Sequence, residues 1–223
     1  MNKLIALCGI DGTGKSTQAA LLQERLQAGG YSTEVLWCRW DPLLARPAVR
    51  LLDRLSRLSS SSRPSASAEQ GDHRRALKQR LLSSPLLRKL WTGVMVLDYG
   101  LQVAPRLRRA RLSSQIVIVD RYRHDVIIDL SAGGVLASTP RILRWLLPPP
   151  DVVVVLDVAE DIALARKPDS LDLTYLRDRR RLYRELALDP AAILIDASEP
   201  ADAVSDVVFG AIDSQFEIAR RHT

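Results

Sequence analysis

The sequence predicts an α/β fold organised around a parallel sheet, and three observations carry that prediction. A short apolar run, KLIALCGI (3–10), leads into a glycine loop, then a helical stretch, then a second strand-like run, YSTEVLWCR (31–39). Three more runs of the same kind follow: QIVIVD (115–120), DVVVVLDV (151–158) and AILIDA (192–197). Helix-forming segments separate them. Short apolar runs bounded by turn signals suit buried strands, and strands alternating with helices pair in parallel.

Each element has its own local reason. Lys15 to Ala28 is rich in good helix formers, places Leu22 and Leu26 one turn apart and is ended by Gly29–Gly30. Residues 31–39 are β-branched and aromatic, which favours a strand. LLARPAVRLLDRLSRL (43–58) predicts a helix starting at Pro47. The stretch SSSSRPSASAEQGD (59–72) has little apolar content and predicts a flexible loop inside one domain. Residues 73–112 predict helix, broken at Pro85 and Pro105. A further helix is expected from His124 to about Leu136. The fourth strand is announced by three prolines. Residues 160–166 and 172–187 predict arginine-dense helices, and 200–220 an amphipathic closing helix. No internal repeat is visible, and residues 1–223 read as a single domain.

Composition narrows the partners. The chain has 223 residues, 47% hydrophobic, with net charge +6 and a pI near 9.7. Lysine occurs only at 3, 15, 78, 89 and 167, so arginine carries most of the positive charge. Arginine grips phosphate bidentately, which suits an anionic small substrate. Nucleic acid fits the same charge, and net charge alone does not separate the two. Cys8 and Cys38 make no disulfide framework and read as buried thiols, in keeping with a reducing cytoplasm. No run is long enough to span a membrane, and the N-terminus lacks the form of a secretory signal.

Gly9-Ile10-Asp11-Gly12-Thr13-Gly14-Lys15-Ser16 fits G-x-x-x-x-G-K-[ST], between a strand and a helix. Gly9, Gly12 and Gly14 let the backbone wrap a phosphate chain with its N–H groups inward, and Thr13 and Thr17 complete the cradle. Lys15 is expected to reach the β- and γ-phosphates of ATP and Ser16 to hold Mg²⁺. No N-K-x-D base reader or D-x-x-G switch follows, so a small phosphotransferase fits better than a GTPase. IVIVDRYRHD (116–125) places Asp120 and Arg121 at the carboxyl end of a strand, where open α/β sheets bind ligands. Asp120 is expected to hold Mg²⁺ through water or to accept a proton. Arg121 is expected to hold the acceptor phosphate or the transferring one. Arg166 and Lys167, at the turn in a region (160–184) that reads as a lid, are candidates for closing positive charge over the transfer. Of the later arginines, Arg177 with Arg181 and Arg180 with Arg184 share faces, and a solvated surface pairing Asp178 and Glu185 accounts for most of them. Trp37 reads as core packing, with stacking on a base as the alternative. His124 reads as a helix-start cap or surface residue.

Taken in order, GIDGTGKST (9–17), DRY (120–122), LDVAEDIALAR (156–166), YLRDRRRLYRELA (175–187) and ILIDAS (193–198) resemble the thymidylate kinase-like branch of the P-loop nucleoside monophosphate kinases. The resemblance covers most of the chain. It implies a P-loop kinase fold: three α/β/α layers, a five-stranded parallel sheet and a helical lid. It also implies ATP with Mg²⁺ as donor, a small-molecule nucleotide as acceptor, a homodimer, and Ala197 and Ser198 in a loop lying against adenine. It turns Asp11 toward the acceptor's sugar; the alternative is that Asp11 holds the loop's own backbone. Departures fall on the acceptor side. CRWDPLLARP (38–47) replaces a Pro-Gly-Gly segment, leaving Arg39 as the candidate there. VLDYGLQVAPRLRRA (96–110) supplies Tyr99, with Gln102 unplaced, where the family has an arginine and Gln-His. The expected function is therefore phosphoryl transfer to a nucleoside monophosphate, with dTMP as one acceptor to consider. A nucleoside or other small-hydroxyl kinase, and a non-catalytic nucleotide-binding regulator, stand as alternatives. Neither membrane nor nucleic acid is the expected partner.

Overall fold

The computed structural model describes residues 2–39, 85–132, 139–168 and 173–216, and positions 43, 47 and 54. The helix expected over 43–58, the serine-rich stretch, residues 73–84, Trp40 and residues 133–136 and 217–220 therefore lie outside the described residues or nearly so. In chain order the elements are β1 (Lys3–Cys8), α1 (Lys15–Ala28), β2 (Thr33–Trp37), α2 (Pro85–Ser113), β3 (Ile116–Asp120) and α3 (Arg123–Ala132). There follow α4 (Thr139–Leu146), β4 (Val152–Asp157), α5 (Glu160–Arg166), α6 (Leu173–Leu186), β5 (Ala192–Asp196) and α7 (Ala201–Phe216).

All five expected strands form one sheet, in the order β2-β3-β1-β4-β5, with every neighbouring pair parallel. Strand alternation sorts the central strand into two cores. Leu4, Ala6 and Cys8 face one, with Val96, Val103 and Leu107 of α2, Leu143 of α4, and Leu176 and Tyr183 of α6. Ile5 and Leu7 face the other, with Leu22 and Leu26 of α1 and Val204, Val208 and Ile212 of α7. This is why β1 is apolar at every position: both faces are covered. Each Leu or Ile so enclosed contributes about 1.5–3 kcal/mol.

The structure corrects the helices in two places. α2 runs through Pro105 without the expected break. Pro105 stands on the exposed side of the helix. There water can take the carbonyl that proline leaves unbonded, while buried Val103, Leu107 and Ala110 hold the helix to the sheet. α4 had no counterpart in the sequence reading, because the prolines around it read as a lead-in to β4. Its Leu143 is fully buried while Trp145 is 85% exposed. Among the described residues no helix is long and apolar enough to cross a membrane.

β1 is central, and the chain leaves it toward β2 on one side and reaches β4 on the other. The carboxyl ends of β1 and β3 lie side by side, Leu7 paired with Asp120. Ligand clefts of open α/β sheets form at such switch points.

Candidate active site

A cavity of about 470 Å³ opens there. The loop after β1 and the start of α1 contribute Asp11, Gly12, Gly14, Lys15, Ser16 and Thr17. The end of β2 contributes Trp37 and Arg39, β3 and the turn after it Asp120 and Arg121, and α5 with its C-cap Arg166 and Lys167. Eleven of the candidate site residues thus meet in one cleft: Asp11, Gly12, Gly14, Lys15, Ser16, Thr17, Arg39, Asp120, Arg121, Arg166 and Lys167, with Trp37 beside them.

The cradle is clamped from below. Gly9 has φ 144°, and a Cβ there would stand 2.4 Å from the Leu156 carbonyl oxygen of β4. Gly12 has φ 90°, and its Cβ would stand 2.2 Å from the Ala163 carbonyl oxygen of α5. Only glycine fits either position. No side chain caps the start of α1, so its first N–H groups remain free for an anion. Lys15 is 5% exposed, and its Nζ donates to the carbonyls of Gly9 (2.9 Å) and Ile10 (2.7 Å). Burial, and then Arg121, push its pKa down. Thr13 donates its hydroxyl to the Ile10 carbonyl at 3.0 Å and so braces the same loop.

Ser16 donates its hydroxyl to Asp120 Oδ2 at 2.5 Å. Asp120 is 3% exposed, and its other oxygen, Oδ1, is buried without a partner. A buried carboxylate oxygen left unpaired is costly, and this one sits beside a hydroxyl at the mouth of a phosphate cradle. A hard divalent cation with oxygen ligands fits that pair.

Asp11 turns its carboxylate away from its own loop, toward the turn after β3. Its carboxylate is ion-paired with Arg121, and Lys167 Nζ stands 3.9 Å away. Burial pushes the Asp11 carboxyl up, but Arg121, Lys15 and Lys167 outweigh it and hold it below the usual carboxylate range. Burial acts against charge on Arg121 too, and Asp11 and Asp125 reverse that, so its pKa is raised. Arg166 donates to the carbonyls of Ala197 and Ser198, each at 2.7 Å. Ala197 and Ser198 lie outside the cavity lining but are thereby fixed to a residue that lines it.

No protein-family model matches the chain. Curated relatives match along nearly all of it. A protein of Archaeoglobus fulgidus named "Probable thymidylate kinase" is 29% identical over 218 residues, 95% of each chain. A protein of the same name from Pyrobaculum aerophilum is 28% identical, over 91% of this chain and 93% of its own. A thymidylate kinase of Thermomicrobium roseum is 26% identical over 99% of both chains. Along nearly its whole length the chain is thus similar to proteins named thymidylate kinase, which supports a thymidylate kinase-like assignment.

Against that thymidylate kinase-like frame, four sequence readings change. Trp37 is not core: it is 55% exposed and lines the cleft. Leu36 and Cys38 on either side are buried, so strand alternation turns Trp37 and Arg39 together into the opening. Tyr99, an acceptor-side candidate, is 1% exposed, packs in the core and is absent from the lining. Arg180 does not belong to a solvated face, while Arg184 remains exposed. Arg180 holds Asp157 at the end of β4 through two nitrogens (2.7 and 2.9 Å) and Glu160 through a third (3.1 Å), and Arg184 adds 3.3 Å to Asp157. Arg177 and Arg181 follow the surface reading, Arg181 pairing with Glu185 at 2.9 Å. His124 is the second residue of α3, largely buried rather than on the surface, and burial brings it down to about 4.

Sequence reasoning missed Asp98, Asp125 and Tyr183. Asp98 accepts the Leu43 amide (2.8 Å), tying α2 to the segment after β2, and the unplaced Gln102 donates to it from one turn along the same helix (2.9 Å). Asp125 is one residue beyond the DRYRH stretch and could have been flagged as an acid in the first turn of a helix. Its partner Tyr183, far along the chain, carried no signal.

Proposed function

We propose that the chain transfers the γ-phosphoryl group of ATP to the phosphate of a nucleoside monophosphate, with Mg²⁺. The observation that carries this reading is the composition of one cleft. Lys15, Ser16 and the uncapped start of α1 would take the donor, and Arg39, Trp37, Asp11 and Arg121, in the same lining, would take the acceptor. Lys15 would exchange two loop carbonyls for phosphate oxygens. Ser16 and Asp120 would hold Mg²⁺, which neutralises charge on the donor phosphates. Arg121 would steady the phosphate at the transfer point. Lys167, half exposed at the end of α5, would turn its side chain over it. Arg166 would keep the Ala197–Ser198 loop in place for adenine. Little covalent work is asked of the protein; position and charge supply the rate.

Of the three arginines in the lining, Arg39 and Arg121 favour an acceptor that already carries a phosphate over a free nucleoside. Trp37 offers an aromatic face beside them, and Asp11 an acceptor for a sugar hydroxyl. The relatives' names make dTMP the first acceptor to try. The homodimer and the cytoplasmic setting belong to the same proposal, and light scattering reads the former. An ADP-release assay across all monophosphates, with and without EDTA, tests the function. Stimulation by at least one, abolished by EDTA, is expected. ATP bound without turnover on any of them would instead leave the regulatory alternative, and turnover only on unphosphorylated acceptors the nucleoside-kinase one.

A further inference from the structure

Arg121 is the single non-glycine of positive φ among the described residues, at 64°. A long L side chain does not rest there unaided, so the surroundings must hold the turn. Its own amide makes only a long bond, 3.4 Å, to the Leu7 carbonyl. The next amide is held better: Tyr122 N–H donates to Asp125 Oδ2 at 2.9 Å, and Asp125 N–H returns to the Tyr122 carbonyl at 3.1 Å. One carboxylate, in the first turn of α3, therefore closes the loop that carries Arg121.

The same carboxylate reaches two other elements. Oδ1 accepts the hydroxyl of Tyr183, on α6, at 2.6 Å. Oδ2 lies 3.5 Å from Cys8 Sγ, at the end of β1 and next to the cradle. Asp125 is 4% exposed and Tyr183 5%. Among the described residues no lysine or arginine forms an ion pair with Asp125. A buried carboxylate with no directly bonded cation is a poor choice for packing alone, and here, beyond its hydrogen bonds, only the more distant charges of Lys15 and Arg121 offset its burial. Here it joins the arginine-rich helix, the cradle strand and the strained turn, and Arg121 completes the path by pairing with Asp11.

We propose that Asp125 is a positioning residue through which helix α6 sets Arg121. With Tyr183 seated on Asp125, the Tyr122 amide is held and Arg121 stays in its left-handed conformation facing the cleft. With that hydroxyl gone, Asp125 loses one of its anchors and the turn loosens. The kinetic part of this inference rests on the phosphoryl-transfer reading; its structural part does not.

Tyr183→Phe in the full chain removes one hydroxyl and keeps the ring. Amide exchange at Tyr122 is expected to quicken by about tenfold, with the amides of β1 and β4 unchanged. Unchanged exchange at Tyr122 would overturn the proposal. For turnover, kcat is expected to fall about tenfold with KM for ATP within about twofold. In an Arg121→Ala background the same change is expected to cost less than about twofold. Equal losses in both backgrounds would show a general structural role and overturn the link to Arg121. Asp125→Asn, which retains one acceptor oxygen, is the second variant and is expected to give the same non-additivity. If no acceptor supports turnover by the native chain, the phosphoryl-transfer reading falls, and the exchange measurement still decides this one.

Discussion

Asp11 and Asp157 both stand at the carboxyl edge of the sheet and each gathers two cations, yet the two clusters are built for opposite ends. Asp11 meets Arg121 through one nitrogen and Lys167 at 3.9 Å, and all three line the cavity. Asp157 meets Arg180 through two nitrogens, with Glu160 taking a third and Arg184 adding its own bond. None of these four lines the cavity. The first cluster is single-bonded, so its cations can be drawn toward a ligand's phosphate. The second is a closed fork that locks α6 and α5 to β4, and fork geometry resists rearrangement. The sequence reading placed Arg121 at the site and left most α6 arginines on a surface; the geometry keeps Arg121 in the cleft and turns Arg180 inward onto Asp157.

The largest effect that could break this contrast is on rate. Arg121→Ala is expected to lower kcat by on the order of 10³-fold, the scale of a charge contact made at the transferring phosphate, with a smaller loss of stability than Arg180→Ala. Arg180→Ala is expected to do the reverse. It should destabilise the fold by about 1–2 kcal/mol in denaturant titration, because it leaves Asp157 at 12% side-chain exposure short of its main partner. Its kcat should stay within about threefold of native. If Arg180→Ala matched Arg121→Ala in kcat, the division between cleft and clamp would be wrong.

A smaller effect sharpens the role of Asp11. Its carboxyl is held below the ordinary range by Arg121, Lys15 and Lys167, against burial. A group with a depressed folded-state pKa contributes stability that is present above its unfolded value, about 3.9, and is lost as pH falls through the folded one. The native chain should therefore lose stability to acid below about pH 4 more steeply than Asp11→Asn, as followed by circular dichroism. In turnover, Asp11→Asn should raise KM for the acceptor more than KM for ATP. The reverse order would move Asp11 to the donor side.

What could be read in the sequence was what lies contiguous along it. GIDGTGKST carries its whole instruction in nine residues, because each glycine answers a local demand: Gly9 against β4, Gly12 against α5. Asp120 and Arg121 were legible because a charged pair ends an apolar run. Trp37 was misread although the signal was present, since Leu36 and Cys38 as neighbours leave it only the opposite face. Tyr99 was placed by likeness to a family position, and burial in the α2 core decides against that placement. The Arg180–Asp157 fork and the Tyr183–Asp125 bond join residues 23 and 58 positions apart. Their meaning arises only once α6 has packed on the sheet, and no local pattern encodes it.

The smallest expected effect concerns Arg181, which shares α6 with Arg180 and sits in the same arginine-dense stretch. It faces away from β4 and pairs with Glu185 one turn on, at 2.9 Å, with both side chains more than half exposed. Water and salt screen such a pair, and fixing two long side chains offsets much of its attraction. Arg181→Ala should therefore change stability by less than about 0.5 kcal/mol and leave kcat alone. A loss as large as that of Arg180→Ala would mean that charge density along the helix, rather than the fork onto Asp157, holds α6 in place. In that case raising the salt should weaken the native chain and the Arg181→Ala variant unequally. The fork reading predicts that they respond alike, because the contact that matters is partly shielded from solvent and common to both.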